Sequence, residues 1–490
     1  MKYKRRIYPM GVTGQLKKDL GLTQNELLTE EEIAVVFART SRSQKPFDEM
    51  ATEVTEEGAA NFHQKWVVSV EGYGHASVAE HAIHHIAVEG VSSLAVDEIT
   101  DNRLASYTEQ SARYQIIATD YFYTPTDIKK DKTFLNLYKG TQNMLFKAYE
   151  EFIKTGLEYI KSDESLKKHP TRRRKPTETD KGYAARLRKI VTDNARFLNT
   201  TGRLSNVGVT ANARSVEYML TKLLSSHYPE VVKIGEVMKE QAVRVTPTLV
   251  KYSEKNDYVL EVRKARDNLS KKFSRPKLSI KGNESEVELL SYDKDAEDRF
   301  TTAFLYPSSK VNYEPLWKKV KALPQAQKEK IIREALSGKK HHDSPIRELE
   351  FATYYLMEFR FDYGTYREYK RHRMQSYLAK PPSVDYGYIV PDLFIEMGWE
   401  KRFRELIKRT DDAYHRVEKT FPYSAHYLVT RAHLRPTLAK FNIREAYHLF
   451  KLRTRPGAHY LIQRPTLKAF KLVEKVHPLL WKYYDGPREL

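Results

Sequence analysis

The sequence predicts a duplicated fold, two copies of one helix-rich module in a single chain, and three observations carry that expectation. At 490 residues the chain is too long for one ordinary hydrophobic core. Three short landmarks recur in the same order: His75-Ala76-Ser77 is answered by His342-Asp343-Ser344, Arg103-Leu104-Ala105-Ser106 by Arg373-Met374-Gln375-Ser376, and Asn212-Ala213-Arg214 by Asn442-Ile443-Arg444. A polar, charged stretch from about Ser253 to Asp293 separates the two sets. The expected division is therefore a first module over 1–252, a connecting segment over 253–293 and a second, divergent module over 294–490.

Taken in order, residues 60–115 carry long helical patterns around GYGHASVAEHAIHHIAVEGVSSLAVDEI. Residues 119–190 are more charged, and KSDESLKKHPTRRRKPTETDKG reads as a loop or insertion, its Arg172 to Lys175 run solvated rather than bound to RNA. Asn212 to Leu224 places Val216, Leu220 and Leu224 on one stripe of a packed helix. In the connecting segment SEVELLSY is a candidate short strand. The second half opens a helical stretch at HHDSPIRELEFATYYLMEF, continues to YREYKRHRMQSY, and returns to helix at NIREAYHLFKLR.

Composition excludes several chemistries. Apolar residues make up 40% and charged residues 30%, the balance of a soluble globular protein. The basic N-terminus lacks the apolar region of a signal peptide and no run approaches membrane-spanning length, so a cytoplasmic protein is expected. With no cysteine, iron–sulfur clusters, thiolate zinc sites and cysteine nucleophiles are excluded. A net charge of +20 attracts anions without choosing among nucleic acid, nucleotides and dinucleotides. Glu80, His81, His84 and His85 lack the His-Glu-x-x-His spacing of a zinc protease, and no metal is expected.

Two constellations carry chemistry. Ser111 and Arg113, two apart, can face one ligand from an extended or loop backbone, and a hydroxyl beside a guanidinium suits phosphate oxygens. Glu109 would then accept from a sugar hydroxyl or orient Arg113; a surface turn with a Glu–Arg pair is the plainer alternative. In the second half Tyr366 to Arg373 concentrates cations, with Arg367 and Arg371 expected on one helix face, where RNA, a dinucleotide pyrophosphate or solvent could offset their repulsion. Asn442 with Glu445 reads as a helix cap, and Arg453, eleven positions on, falls on the same face as Asn442.

These residues resemble the signature of the flavin-dependent thymidylate synthase family, Arg-His-Arg-x-x-Ser-x-Asn-Glu-x-Ser-x-Arg-Tyr, preceded by Gly-His-x-Ser-x-x-Glu-His and followed by Ala-Arg and Asn-Ala-Arg elements. Gly74-His75-Ala76-Ser77-Val78-Ala79-Glu80-His81 matches the leading element at every fixed position. Arg103, Ser106, Glu109, Ser111, Arg113 and Tyr114 match the signature, while Asp101, Asn102 and Thr108 replace its first Arg, its His and its Asn. Ala195-Arg196 and Asn212-Ala213-Arg214 stand where the later elements belong, and Leu223 occupies the position of the pyrimidine-contacting arginine. The second half departs in the opposite sense. It keeps Arg371-His372-Arg373 and Arg453, loses Glu-x-Ser-x-Arg over Tyr377 to Val384, and carries Ala425-His426 in place of Ala-Arg. His426 precedes Asn442 by 16 positions, the interval that separates Arg196 from Asn212.

The resemblance implies an α/β (α+β) fold, duplicated, and the reductive methylation of dUMP to dTMP with FAD, methylenetetrahydrofolate and NADPH, without a cysteine nucleophile. It implies that Glu109, Ser111, Arg113 and Arg196 bind the substrate phosphate and that Arg453 binds the pyrimidine and stabilises charge developing there. It further implies that His75, Ser77, Arg371, His372, Arg373, Asn442, Arg444 and His448 serve the cofactor. Because each half is degenerate where the other is intact, one composite site per chain is expected, its counterpart dead, in a homodimer imitating the family's tetramer. An inactive FAD- or nucleotide-binding relative is one alternative. A basic nucleic-acid-binding protein is the other, although no RNA-recognition, zinc or helix-turn-helix motif supports it.

Overall fold

Strands and helices alternate twice in the same order along the chain, and the junctions between them are set by polar caps. The computed structural model describes residues 6–11, 28–40, 43, 45, 47–65, 76–113, 116, 121–250, 253–273 and 286–489. The chain packs into two units, Met1–Thr192 with Asn199–Pro276 and Leu406–Leu428, and Asp193–Leu198 with Lys277–Glu405 and Val429–Leu490. Each unit thus holds a short segment from the other repeat. Among the described residues no helix is long and apolar enough to cross a membrane.

Unit 1 contains β1 (Arg6–Gly11), β2 (Ile83–Ser92), α1 (Ser93–Ile99), β3 (Ser106–Glu109), α2 (Lys132–Tyr159), β4 (Leu204–Asn212), α3 (Ala213–Leu224) and α4 (Pro229–Val245). Its sheet is antiparallel in the order β1-β2-β4-β3. Ser92 caps α1 by accepting from Ala95 N–H, and Asn212 caps α3 by accepting from Ser215 N–H, each satisfying a donor that the first helical turn leaves open. The 406–428 segment approaches at Gly202, whose N–H donates to Tyr427 O at 3.0 Å. A Cβ on Gly202 would lie 2.7 Å from that oxygen, so only glycine admits this approach.

Unit 2 repeats the plan with β5 (Glu286–Ser291), β6 (Tyr354–Asp362), α5 (Tyr363–Tyr369), β7 (Gln375–Ala379), β8 (Leu434–Asn442), α6 (Ile443–Thr454) and α7 (Tyr460–Val476). The strand order is β5-β6-β8-β7. Asp362 caps α5 at Thr365 N–H and Asn442 caps α6 at Glu445 N–H. Tyr355, Met357, Phe359 and Phe361 of β6 point inward and join Phe441, Phe450, Phe470 and Trp481 in one buried cluster. The fold is α+β and duplicated, as the resemblance implies, and the short strand at SEVELLSY is β5.

Register sharpens the repeat. Ser106 faces Thr210 and Ser376 faces Lys440, each two residues before the capping asparagine, so the second and third landmarks are structural equivalents. The first landmark is misaligned. The 3₁₀ turn Ala76–Glu80 leads into β2 as Arg347–Phe351 leads into β6, which makes Glu348, not Ser344, the counterpart of Ser77. β2 has ten residues and β6 nine, and the extra residue sits in a bulge between Val88 and Val91 where Gly90 adopts φ 69°.

Three expectations from periodicity fail. Ile83–Ser92 and Tyr354–Asp362 are strands rather than helix: in β2 burial on both faces blurs the alternation, whereas β6 alternates apolar and charged residues over Met357 to Asp362. His81, His84 and His85 therefore do not share a helix face; His84 Nε2 meets Thr246 Oγ1 and His85 Nδ1 meets Thr210 Oγ1, both at 3.0 Å. The expected loop over 161–182 contains a helix, Asp163–Lys168, and Arg172 is buried, donating to Ser165 Oγ at 2.7 Å. Arg371 lies beyond the end of α5, so it does not share a helix face with the buried Arg367.

Candidate active site

Unit 2 gathers charged groups that apolar surroundings tolerate only when they are paired. Three pieces of chain supply them: the 193–198 segment brings Arg196, α5 and the turn after it bring Glu368 and His372, and α6 brings Glu445 and Arg453. Arg453 sits between two of these groups. Its Nε–H donates to His372 Nε2 at 2.8 Å and its Nη2 to the Glu368 backbone oxygen at 2.7 Å, which fixes the plane of the guanidinium. A guanidinium only donates, so His372 Nε2 must be the acceptor and Nδ1 carries the proton. That proton is shared with Glu445 Oε1 at 3.0 Å.

His372 is therefore neutral here, held well below its ordinary pKa by burial and by the neighbouring Arg453 and His448. The His372–Glu445 contact is accordingly a hydrogen bond rather than an ion pair. Burial pushes Glu445 up to about 7, with His448 opposing. The same carboxylate was expected to complete a capping box with Asn442; it turns inward to His372 instead.

Glu368 is the hub. Its Oε1 accepts from Arg196 Nη2 at 3.3 Å and its Oε2 lies 4.0 Å from Arg453 Nη1. Arg196, 5% exposed at its side chain, also lies over the Phe197 ring, and its Nε is buried with no hydrogen-bond partner among the described residues. Asp362, fully buried, is pushed up to about 6 by burial, with its two bonds from Thr365 and the charge of Arg196 opposing. Asn194 anchors the arginine segment, its Oδ1 accepting from Leu393 N–H and from Tyr460 OH, both at 3.2 Å.

The structure thus brings Arg196 and Arg453, from different repeats, onto one carboxylate within one unit of one chain. Arg371 and Arg373 are exposed on either side of buried His372, and His448 is exposed with its ring 5.5 Å from that of His372. Arg444 donates to Pro345 O at 3.0 Å and pairs with Glu350, away from Arg453's partners, and Asn442 spends its side chain on the cap. In unit 1, Glu109 ends β3 and Ser111 and Arg113 lie on the turn that follows, as their spacing predicts. Ser111 Oγ accepts from Arg113 N–H at 3.3 Å, and Thr192 Oγ1 donates to Arg113 O at 2.6 Å. Ser77 is exposed on its 3₁₀ turn, and His75 lies outside the described residues. Glu368 was missed by sequence reasoning; the available signals were a lone carboxylate inside the cationic run Arg367 to Arg373 and a glutamate, Glu98, at the same place in the first repeat.

The equivalent place in unit 1 keeps a carboxylate, Glu98, at the position of Glu368 but replaces the histidine, the second glutamate and both arginines around it. Asn102 stands for His372 and donates to Ser215 O, Ser215 stands for Glu445, and Leu223, 1% exposed, stands for Arg453. His426 stands for Arg196 and its Nδ1 meets Tyr228 OH at 2.7 Å among tyrosines. Leu223→Arg should not recreate a site. With its Cβ packed so closely that a Cβ on Gly235 would come within 3.0 Å of it, an arginine there overpacks the contact between α3 and α4. We expect a loss of roughly 1–3 kcal/mol in urea unfolding and no added nucleotide stoichiometry; an unchanged midpoint would show that this pocket still accepts a cation.

Glu445 gives a second test. Its folded pKa, about 7, lies above the ordinary 4.5, so its contribution to stability is fully present below 4.5 and is lost as pH rises through 7. The loss is on the order of 3 kcal/mol. Glu445→Gln should flatten the decline in unfolding free energy between pH 5 and pH 8, and parallel profiles for the two proteins would refute the assignment.

The chain is thus a duplicated α+β fold in which two arginines from different repeats converge in one unit. A family model described as Thymidylate synthase complementing protein matches residues 25–248 and 288–479. The chain belongs to this family, that of the flavin-dependent thymidylate synthases. It is 27% identical over 438 residues to the UPF0159 protein of Chlamydia muridarum, covering 86% of this chain and 79% of that one. It is 24% identical over 435 residues to the UPF0159 protein Ta1429 of Thermoplasma acidophilum, covering 83% and 85%. The flavin-dependent thymidylate synthase of Sulfolobus acidocaldarius is 26% identical over 234 residues, 47% of this chain and 75% of that enzyme. The two UPF0159 proteins align across both repeats, and the Sulfolobus enzyme across about the length of one.

Proposed function

We propose that this protein is a flavin-dependent thymidylate synthase that converts dUMP to dTMP with methylenetetrahydrofolate as carbon donor and NADPH as reductant. The observation that carries this reading is the convergence of Arg196 and Arg453 on Glu368, with Arg453 braced by His372 and Glu445. In this reading Arg196 binds the phosphate, where a charge-assisted contact holds the substrate end-on. Arg453 binds a pyrimidine oxygen and stabilises negative charge that develops on the ring, from a guanidinium whose orientation is already fixed. His372 acts through Arg453: both its nitrogens are occupied, so it sets the arginine's direction rather than touching substrate. Glu109, Ser111 and Arg113 are further phosphate ligands by resemblance.

Exposed guanidiniums at Arg371 and Arg373 suit the pyrophosphate of FAD, with Ser77, His75 and His448 as additional contacts; Asn442 and Arg444 support them by capping α6 and pairing with Glu350. When bound, FAD supplies the hydride that completes the methyl group. We propose a homodimer with one nucleotide site per chain. The test is tritium release from dUMP labelled at C5, given folate donor, NADPH and FAD. Release dependent on all components supports the reading, and bound flavin without release identifies an inactive relative.

A further inference from the structure

We propose that Glu368 is a built-in substitute for the substrate's phosphate, which holds the arginine pair in the unliganded protein and must be displaced from Arg196 for a nucleotide to bind. The proposal rests on the reading above, in that Arg196 is the phosphate ligand. Three observations carry it. Glu368 is the acidic side chain that meets both arginines, at 3.3 Å from Arg196 and 4.0 Å from Arg453. The Arg196 bond, at 3.3 Å, is long for a charge-assisted contact, and the buried Nε beside it has no partner, so the guanidinium keeps capacity that a carboxylate does not use. Arg453, by contrast, is fixed by His372 and by the backbone of Glu368, contacts that do not depend on the carboxylate.

A neutral ligand gains too little from Arg196 to displace a carboxylate already there, whereas a phosphate monoester, with up to two charges and three acceptor oxygens, outcompetes it. Glu368 is therefore a specificity-determining residue, selecting nucleotide over nucleoside. It is also a positioning residue that keeps a buried cation neutralised until substrate arrives.

The experiment is calorimetric binding of dUMP and of deoxyuridine to the full chain and to Glu368→Gln, with Arg196→Ala as reference. The glutamine keeps the shape and removes the competing charge. We expect dUMP to bind about 10-fold more tightly or better, with deoxyuridine unchanged, and turnover at saturating dUMP not improved in step. Equal or weaker dUMP binding by Glu368→Gln, while Arg196→Ala still loses affinity, overturns the proposal and leaves the phosphate assignment standing. Unchanged binding by Arg196→Ala overturns both. Should the glutamine variant melt early, Glu368→Asp, which shortens the reach to Arg196, is expected to tighten dUMP by a smaller factor, and no gain there is equally fatal.

Discussion

Arg453→Ala should lower the rate of tritium release by about 10²- to 10³-fold at saturating dUMP, the range for removing one preorganised donor from a developing negative charge. The effect should fall on turnover more than on binding, because Arg453 is already oriented by His372 and the Glu368 carbonyl before substrate arrives. Lysine should not restore the rate, since one ammonium cannot satisfy His372 and the Glu368 carbonyl and also reach a ring oxygen. A variant that loses affinity with turnover intact would make Arg453 a binding residue only.

Arg196→Ala should have the opposite profile. We expect dUMP to bind roughly 10- to 100-fold more weakly, as for the loss of one hydrogen bond to a charged group, with a smaller change in turnover once substrate saturates. The substitution also leaves Glu368 without its Arg196 partner, so the affinity of a neutral nucleoside serves as the control for indirect effects. Unchanged dUMP affinity would remove Arg196 from the site.

Much of this was legible from the residues, and the exceptions have physical causes. The duplication shows because caps and strand entries are local: Asn212 and Asn442 each need to accept from the third residue onward, and that requirement preserves the landmark even where function has drifted. The complementary losses were legible for the same reason, as substitutions at fixed intervals from those caps. β2 was not, because a strand buried on both sides loses the period that marks it, and it also carries the bulge at Gly90; β6 keeps an apolar–charged alternation over Met357 to Asp362 that the helical reading passed over. The first landmark misled because His342-Asp343-Ser344 resembles His75-Ala76-Ser77 in letters while lying before the 3₁₀ turn rather than in it.

Glu368 and the inward turn of Glu445 required the fold itself. Nothing in Tyr366 to Arg373 says which of its charges faces Arg196, 172 positions away, and the Asn442–Glu445 spacing is satisfied equally by a surface cap. The packing of 193–198 in unit 2, and of 406–428 in unit 1, is a long-range choice with no local signal. Yet it is that choice which sets Arg196 and Arg453 on one carboxylate.

The coordinated replacement of four positions in unit 1, by Asn102, Ser215, Leu223 and His426, leads us to expect one nucleotide site per chain rather than two. Calorimetric titration of the purified protein with dUMP tests it most directly. We expect saturation at one dUMP per chain, abolished or strongly weakened by Arg196→Ala and untouched by His426→Ala. Two equivalent sites per chain, or stoichiometric binding that depends on His426 and not on Arg196, would contradict it.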